Sequence, residues 1–261
     1  MGGKADYMRS PNVSWSVCCS PKKEGGLGLK DLKLWNVAFL GKYVWWLAKK
    51  KDHLWVKWVS HVYMKDKDWT DYVAPPDCSW SWRKITHIME KFKQAYTNNK
   101  WLNTSLVYCV QYGYDWLRTR HPKVEWRHLC WNTLNVPKTS FITRAIIHKR
   151  LLTKDRLIRM GIMVDGTCDL CDNFPEDHHH LFSDCVFMQR CSSLLQDKLR
   201  IRFSADDIVH WFSSSRAVSR MQKRYIGASY VALYYYVWIT RNEARIKGMV
   251  RRPECVVKRW W

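Results

Sequence analysis

Eighteen residues constrain this chain more than any others. From Cys168 to Cys185 they carry three cysteines and three consecutive histidines. Cys168 and Cys171 form a C-x-x-C pair, the spacing at which two thiolates on one tight turn reach a single ion. A histidine and a third cysteine downstream can then complete a tetrahedron around Zn²⁺. The chosen set is Cys168, Cys171, His180 and Cys185, spaced C-x2-C-x8-H-x4-C. His179 is the second choice for the imidazole, and Cys191 is a substitute thiol that reads better as a buried one. Four protein donors leave no position for a catalytic water, so the zinc expected here is structural. The donor atoms should converge to within roughly 4 Å, because Zn–S is about 2.3 Å and Zn–N about 2.0–2.1 Å. A redox dithiol would want a thioredoxin-like βαβ setting, which the flanking pattern lacks.

The rest of the chain is strongly basic. It carries 44 Lys and Arg against 23 Asp and Glu, a net charge of +21, with 47% apolar residues to build a core. Such a charge points to a polyanionic partner, since Lys and Arg on phosphates release condensed counterions. The charge is uneven. Between Met160 and Gln189 there is no Lys or Arg, while Asp165, Asp169, Asp172, Glu176, Asp177 and Asp184 all lie there. Residues 190–261 hold 15 basic and 5 acidic side chains. Local charge therefore suggests that the knuckle repels phosphate and that nucleic acid meets the C-terminal helix. The residues singled out there are Arg216, Arg220, Lys223, Arg224, Arg241 and Arg245, several of which recur at helical spacing. Tyr225, Tyr230, Leu233, Tyr234, Val237 and Trp238 would be buried on the other side.

The periodicity predicts a mainly α fold, with helical segments around the small knuckle and a few short strands or extended segments. Gly25-Gly26-Leu27-Gly28 is a turn, lacking either phosphate-loop spacing. A helix follows from Asp31 to about Lys50, with Leu32, Trp35, Phe39, Tyr43 and Trp46 as its apolar stripe, widened by Leu34, Val37 and Leu40. A second covers Asp52–Val62, with Leu54, Trp55, Trp58 and Val59 on one side. Pro75-Pro76 marks a boundary, and helices are read over Trp82–Lys93, Trp126–Leu134, Ser140–Arg150 (burying Phe141, Ile142, Ala145 and Ile146), Lys154–Met160 and Ala217–Lys247. Leu106–Gly113 reads as extended. Four segments result: residues 1–74, 75–124, 125–192 with the zinc site, and the basic 193–261. The longest apolar run, Tyr230–Ile239, is ten residues, too short for a membrane span. The chain is expected to be intracellular and nuclear, with no small-molecule substrate.

The text around the cysteines resembles the reverse-transcriptase zinc-binding domain of LINE-type non-LTR retrotransposons, plant ones in particular. The resemblance runs through Trp126–Leu134, Val136-Pro137-Lys138, Phe141, Arg150–Leu157, Cys168-Asp169-Leu170-Cys171, Glu176 and His180–Cys185. Upstream, Trp15, Val17-Cys18, Pro21-Lys22, the glycine turn, Asp31-Leu32 and Trp35-Asn36 resemble the segment after the polymerase core. Downstream, Val237-Trp238-Ile239 and Arg241-Asn242 resemble a closing helix. Arg144 departs from the family's usual Trp. The resemblance implies a C-terminal remnant of a polyprotein, beginning after its polymerase. The family's aromatic-x-Asp-Asp catalytic turn has no counterpart: Asp206-Asp207 follows Ser204-Ala205, downstream of the knuckle. The chain is therefore expected to be a non-enzymatic, zinc-stabilised module binding RNA or DNA without sequence preference. The alternative is a zinc-stapled scaffold, or a degenerate product that binds no nucleic acid.

Overall fold

Helix follows helix along the whole described chain, which in this computed structural model comprises residues 13–65, 67–98, 107–202 and 218–259. Among these residues no β-sheet forms, and an isolated bridge pairs Thr167 with Pro175. The mainly α reading is correct. The chain divides into two compact units, residues 28–121 and residues 1–27 together with 122–261. This division cuts across the four segments read from the sequence.

In the unit of residues 28–121, helix α2 spans Leu32–Ala48 behind the N-cap Asp31, whose carboxylate accepts from the Lys33 and Leu34 amides. Its inward face is only partly the expected stripe, of which Val37, Leu40 and Trp46 pack against the core. Leu32 and Phe39 are exposed, while Ala38, Gly41, Val44, Trp45 and Leu47 are buried. A helix apolar nearly all round offers more than one stripe, and small residues decide between them. A Cβ on Gly41 would lie 2.4 Å from the Phe92 ring and 2.8 Å from the Tyr108 hydroxyl. That hydroxyl donates to the Ala38 carbonyl at 2.6 Å. Helix α3 (Leu54–Val59) runs into a π turn over Ser60–Met64 and buries Val56, Val59 and Met64, leaving Leu54 and Trp58 outside. Helix α4 covers Trp80–Asn98, longer than the expected segment.

Helix α5, Val110–Leu117, occupies much of the stretch read as extended; Leu106 lies outside the described residues. Its aromatics suggested β propensity, but propensity in such a run reports packing on a half-buried surface. Here a helix supplies that packing: Gly113 and Tyr114 are buried, and Trp116 lies against the core.

In the other unit, helix α1 (Trp15–Cys19) leads into the glycine turn, where Gly25 has φ of +89°. The Val124 amide donates to the Lys23 carbonyl at 3.0 Å, which ties this N-terminal piece to the later chain. Helix α6 is the single turn Arg127–Cys130, shorter than expected. Helix α7 is Pro137–Ile147, with proline in its first turn, where the missing N–H needs no partner. It buries Thr139, Ser140, Thr143 and Arg144; of the residues expected inside, Ile142, Ala145 and Ile146 are half-buried against the core and Phe141 is exposed. Arg144 donates from Nε to the Gly25 carbonyl at 2.9 Å. Helix α8 (Lys154–Arg159), after the N-cap Thr153 and before Gly161 at φ of +77°, is as read. Helices α9 (Val186–Leu199), α10 (Arg220–Lys247) and α11 (Pro253–Lys258) complete the unit. The core lies where α9 and α10 meet the knuckle, around Leu181, Met188, Cys191, Tyr230, Val231 and Val237. No described helix is long and apolar enough to cross a membrane.

Candidate metal centre

The loop after α8 makes the knuckle. The Cys168 amide donates to the Phe174 carbonyl and the Asp172 amide to the Cys168 carbonyl, both at 2.9 Å, with Asp172 at φ of +53°. This tight turn brings the sulfurs of Cys168 and Cys171 to one side. The next element supplies the other two donors by an uncommon device. Residues His180–Asp184 form a π turn closed by the Cys185 amide on the His180 carbonyl at 2.7 Å. An ordinary helical turn superposes residues four apart; this wider turn superposes residues five apart. It therefore suits H-x4-C.

The result is a cluster of Cys168, Cys171, His180 and Cys185, whose ligand atoms all lie within 4.8 Å of one another. The spread is somewhat larger than the expected 4 Å. The His180 Nε2 is 3.3 Å from the Cys171 sulfur. The Cys168 thiol donates to Cys185, and this bond together with burial pushes its pKa up, though the Leu170 and Cys171 amides favour the thiolate. Cys185 is held below the usual thiol range because it accepts from Cys168, and the Phe187 and Met188 amides at the start of α9 add to this. A shared proton between two such sulfurs is what a soft divalent cation would displace. Three sulfurs and one imidazole, three of the four residues buried, fit zinc.

The three histidines have three different surroundings. His180 faces the sulfurs. His179 is exposed, with Nδ1 2.9 Å from Asp184. His178 is buried; its Nε2 accepts the Leu151 amide at 3.1 Å, and its Nδ1 lies 3.2 Å from the Thr153 hydroxyl. Cys191 is fully buried and away from the cluster, its pKa pushed up to about 12 by burial.

Part of the acidic island is compensated from outside itself. Lys154, itself buried, holds Asp169 at 2.5 Å. Arg241 grips Glu176 with two nitrogens, Nε at 2.9 Å and Nη2 against the other oxygen. Both members of that pair are almost wholly buried, at 1% and 2% exposed. The Lys154 amide also donates to Glu176 at 2.9 Å. This corrects the place of Arg241 among the nucleic-acid contacts: its guanidinium is consumed inside the unit. Its spacing from Tyr230, Tyr234, Val237 and Ala244 puts it on the buried stripe of α10, a signal present in the sequence. Arg220 and Arg245 are exposed, Lys223 and Arg224 half-buried, and Arg216 lies outside the described residues. Tyr225, expected inside, is exposed.

With this geometry in view, residues 108–191 match the family model described as zinc-binding in reverse transcriptase. About a third of the chain is thus similar to a reverse-transcriptase zinc-binding domain. A 90-residue segment is also 38% identical to a protein of Arabidopsis thaliana named "Putative ribonuclease H protein", covering 32% of this chain and 14% of that protein's length. No solved structure matches the chain. The zinc-binding domain as matched ends at Cys191, yet its Glu176 takes its ion-pair partner from Arg241 in α10.

Proposed function

We propose that the chain is a non-catalytic, zinc-stabilised nucleic-acid-binding module from the C-terminal part of a LINE-type retroelement polyprotein. Cys168, Cys171, His180 and Cys185 would hold one Zn²⁺. The observation that carries this reading is the convergence of three sulfurs and one imidazole in a largely buried site. Four protein donors complete a tetrahedral shell, so the ion would tie the knuckle to the start of α9 rather than activate water. The net charge of +21 supports a polyanionic partner, and nuclear residence goes with such a partner. On α10, Arg220, Lys223 and Arg224 at one end and Arg245 at the other would contact phosphates. At 1.5 Å of rise per residue these ends are ~35 Å apart, too far to meet one phosphate.

Metal analysis of the purified chain, combined with binding to RNA and DNA over a range of salt, tests the reading. One zinc per chain is expected, with affinity falling linearly on log–log axes as salt rises. Absence of salt-dependent binding would leave a zinc-stapled scaffold. Neutralising Arg220, Lys223 and Arg224 together should weaken all sequences alike. It should also flatten that slope by about 0.7–0.9 for each phosphate the protein no longer neutralises.

A further inference from the structure

One cleft beside the knuckle is lined by arginines and not by carboxylates. This open cleft of about 320 Å³ lies between the knuckle loop, the start of α9 and the segment before α11. Cys171 and Asn173 form one wall, Arg190 stands on α9, and Val250, Arg251 and Arg252 form the other wall. No Asp or Glu lines it. Arg251 is held in place by Glu243, its Nε 2.6 Å from the carboxylate. Arg190 and Arg252 are exposed, and among the described residues neither has an ion pair. Phe174 follows the lining residue Asn173 in the chain and is 57% exposed, its ring 5.8 Å from that of His180. Within the knuckle, Lys154 and Arg241 offset Asp169 and Glu176, which weakens the negative field of the island.

Two unpaired guanidinium forks suit phosphate oxygens, which they can grip bidentately. An exposed ring next in the chain to the cleft wall suits a base. Alternation of phosphate and planar apolar group is the chemistry of a single nucleic-acid strand, whose bases are free to stack. We propose that this cleft binds the backbone of single-stranded nucleic acid, Arg190 and Arg252 holding a phosphate and Phe174 stacking on a neighbouring base. The proposal rests on the nucleic-acid reading above and names a site for it. The bound strand covers the Cys171 side of the metal centre, so the zinc domain is itself part of the binding surface.

The test uses the full, zinc-loaded chain with fluorescein-labelled oligouridylate, oligothymidylate and a DNA duplex. The double variant Arg190→Gln, Arg252→Gln should lose about tenfold in affinity for the single strands, with a salt slope flatter by about 0.7 for each phosphate left without its arginine. Its zinc content and melting temperature should match the parent's, because both side chains are exposed. Phe174→Ala should weaken the single strands and leave the duplex unchanged. The two single strands distinguish ribose from deoxyribose backbones; binding of either supports the site. If the parent binds and the double variant binds equally well, the site is wrong while the nucleic-acid reading stands. If the parent shows no salt-dependent binding, both are wrong. A double variant that loses zinc makes these arginines structural and also overturns the proposal.

Discussion

Arg241 and Glu176 form a buried, two-point ion pair in a chain with a large excess of cations. Removing one partner of such a pair strands a charge away from water, at a cost of ~3–5 kcal/mol. Arg241→Ala should therefore lower the urea midpoint by a corresponding amount. Once allowance is made for the unfolded fraction, it should leave the salt slope of nucleic-acid binding unchanged. His148 belongs to the same scale. Burial, then the neighbouring Arg144 charge, hold its imidazole below the usual 6.5. The unfolded chain thus takes up the proton first as pH falls. The stability contribution is present above pH 6.5 and is lost as pH falls below it. His148→Gln should flatten the pH dependence of the melting temperature in that window. Cys185→Ser should abolish stoichiometric zinc, measured by metal analysis, because it removes one of the four converging donors.

At the scale of elements, close approach decides what periodicity could not. In α2 the inward face is set by Ala38 and Gly41, against Tyr108 and Phe92. Gly41→Ala should destabilise the chain by ~1–3 kcal/mol, the usual effect of overfilling a packed interface, measurable as a drop in thermal midpoint. What was legible in the sequence was whatever local chemistry settles: the glycine turn, the caps of α8, the C-x-x-C knuckle and the choice of His180. Faces of helices were legible where polar and apolar residues segregate. They were only partly so in α2, which is apolar nearly all round, and in α7, where Ile142, Ala145 and Ile146 do meet the core but the most buried side is made of Thr139, Ser140, Thr143 and Arg144. Charge was misleading for a related reason. The acidic island looks uncompensated along the chain, yet Lys154 and Arg241 reach it from α8 and α10.

For the molecule as a whole, the cores of the two units are built differently. Residues 28–121 pack aromatic against aromatic, as where the Trp82 indole donates to the Tyr72 hydroxyl at 3.0 Å. The other unit's core runs through the knuckle, with Cys168, Leu181 and Cys185 buried beside α9 and α10. Metal binding to such a knuckle is part of its folding free energy. Chelation should therefore melt the knuckle unit selectively. Calorimetry of the chelated chain is expected to show one transition moved to lower temperature, with a second, from residues 28–121, little changed.

The Glu176–Arg241 pair also orders events during synthesis. The two residues are 65 positions apart. At ~5–20 residues per second, a ribosome that has just made Glu176 needs about 3–13 s to add Arg241. Through that interval the knuckle can gather its cysteines, but its central carboxylate has no guanidinium to receive it and must stay hydrated. The nascent knuckle is thus held ajar until the last long helix arrives. A message truncated just after Cys191 would release a metal-binding loop that never closes.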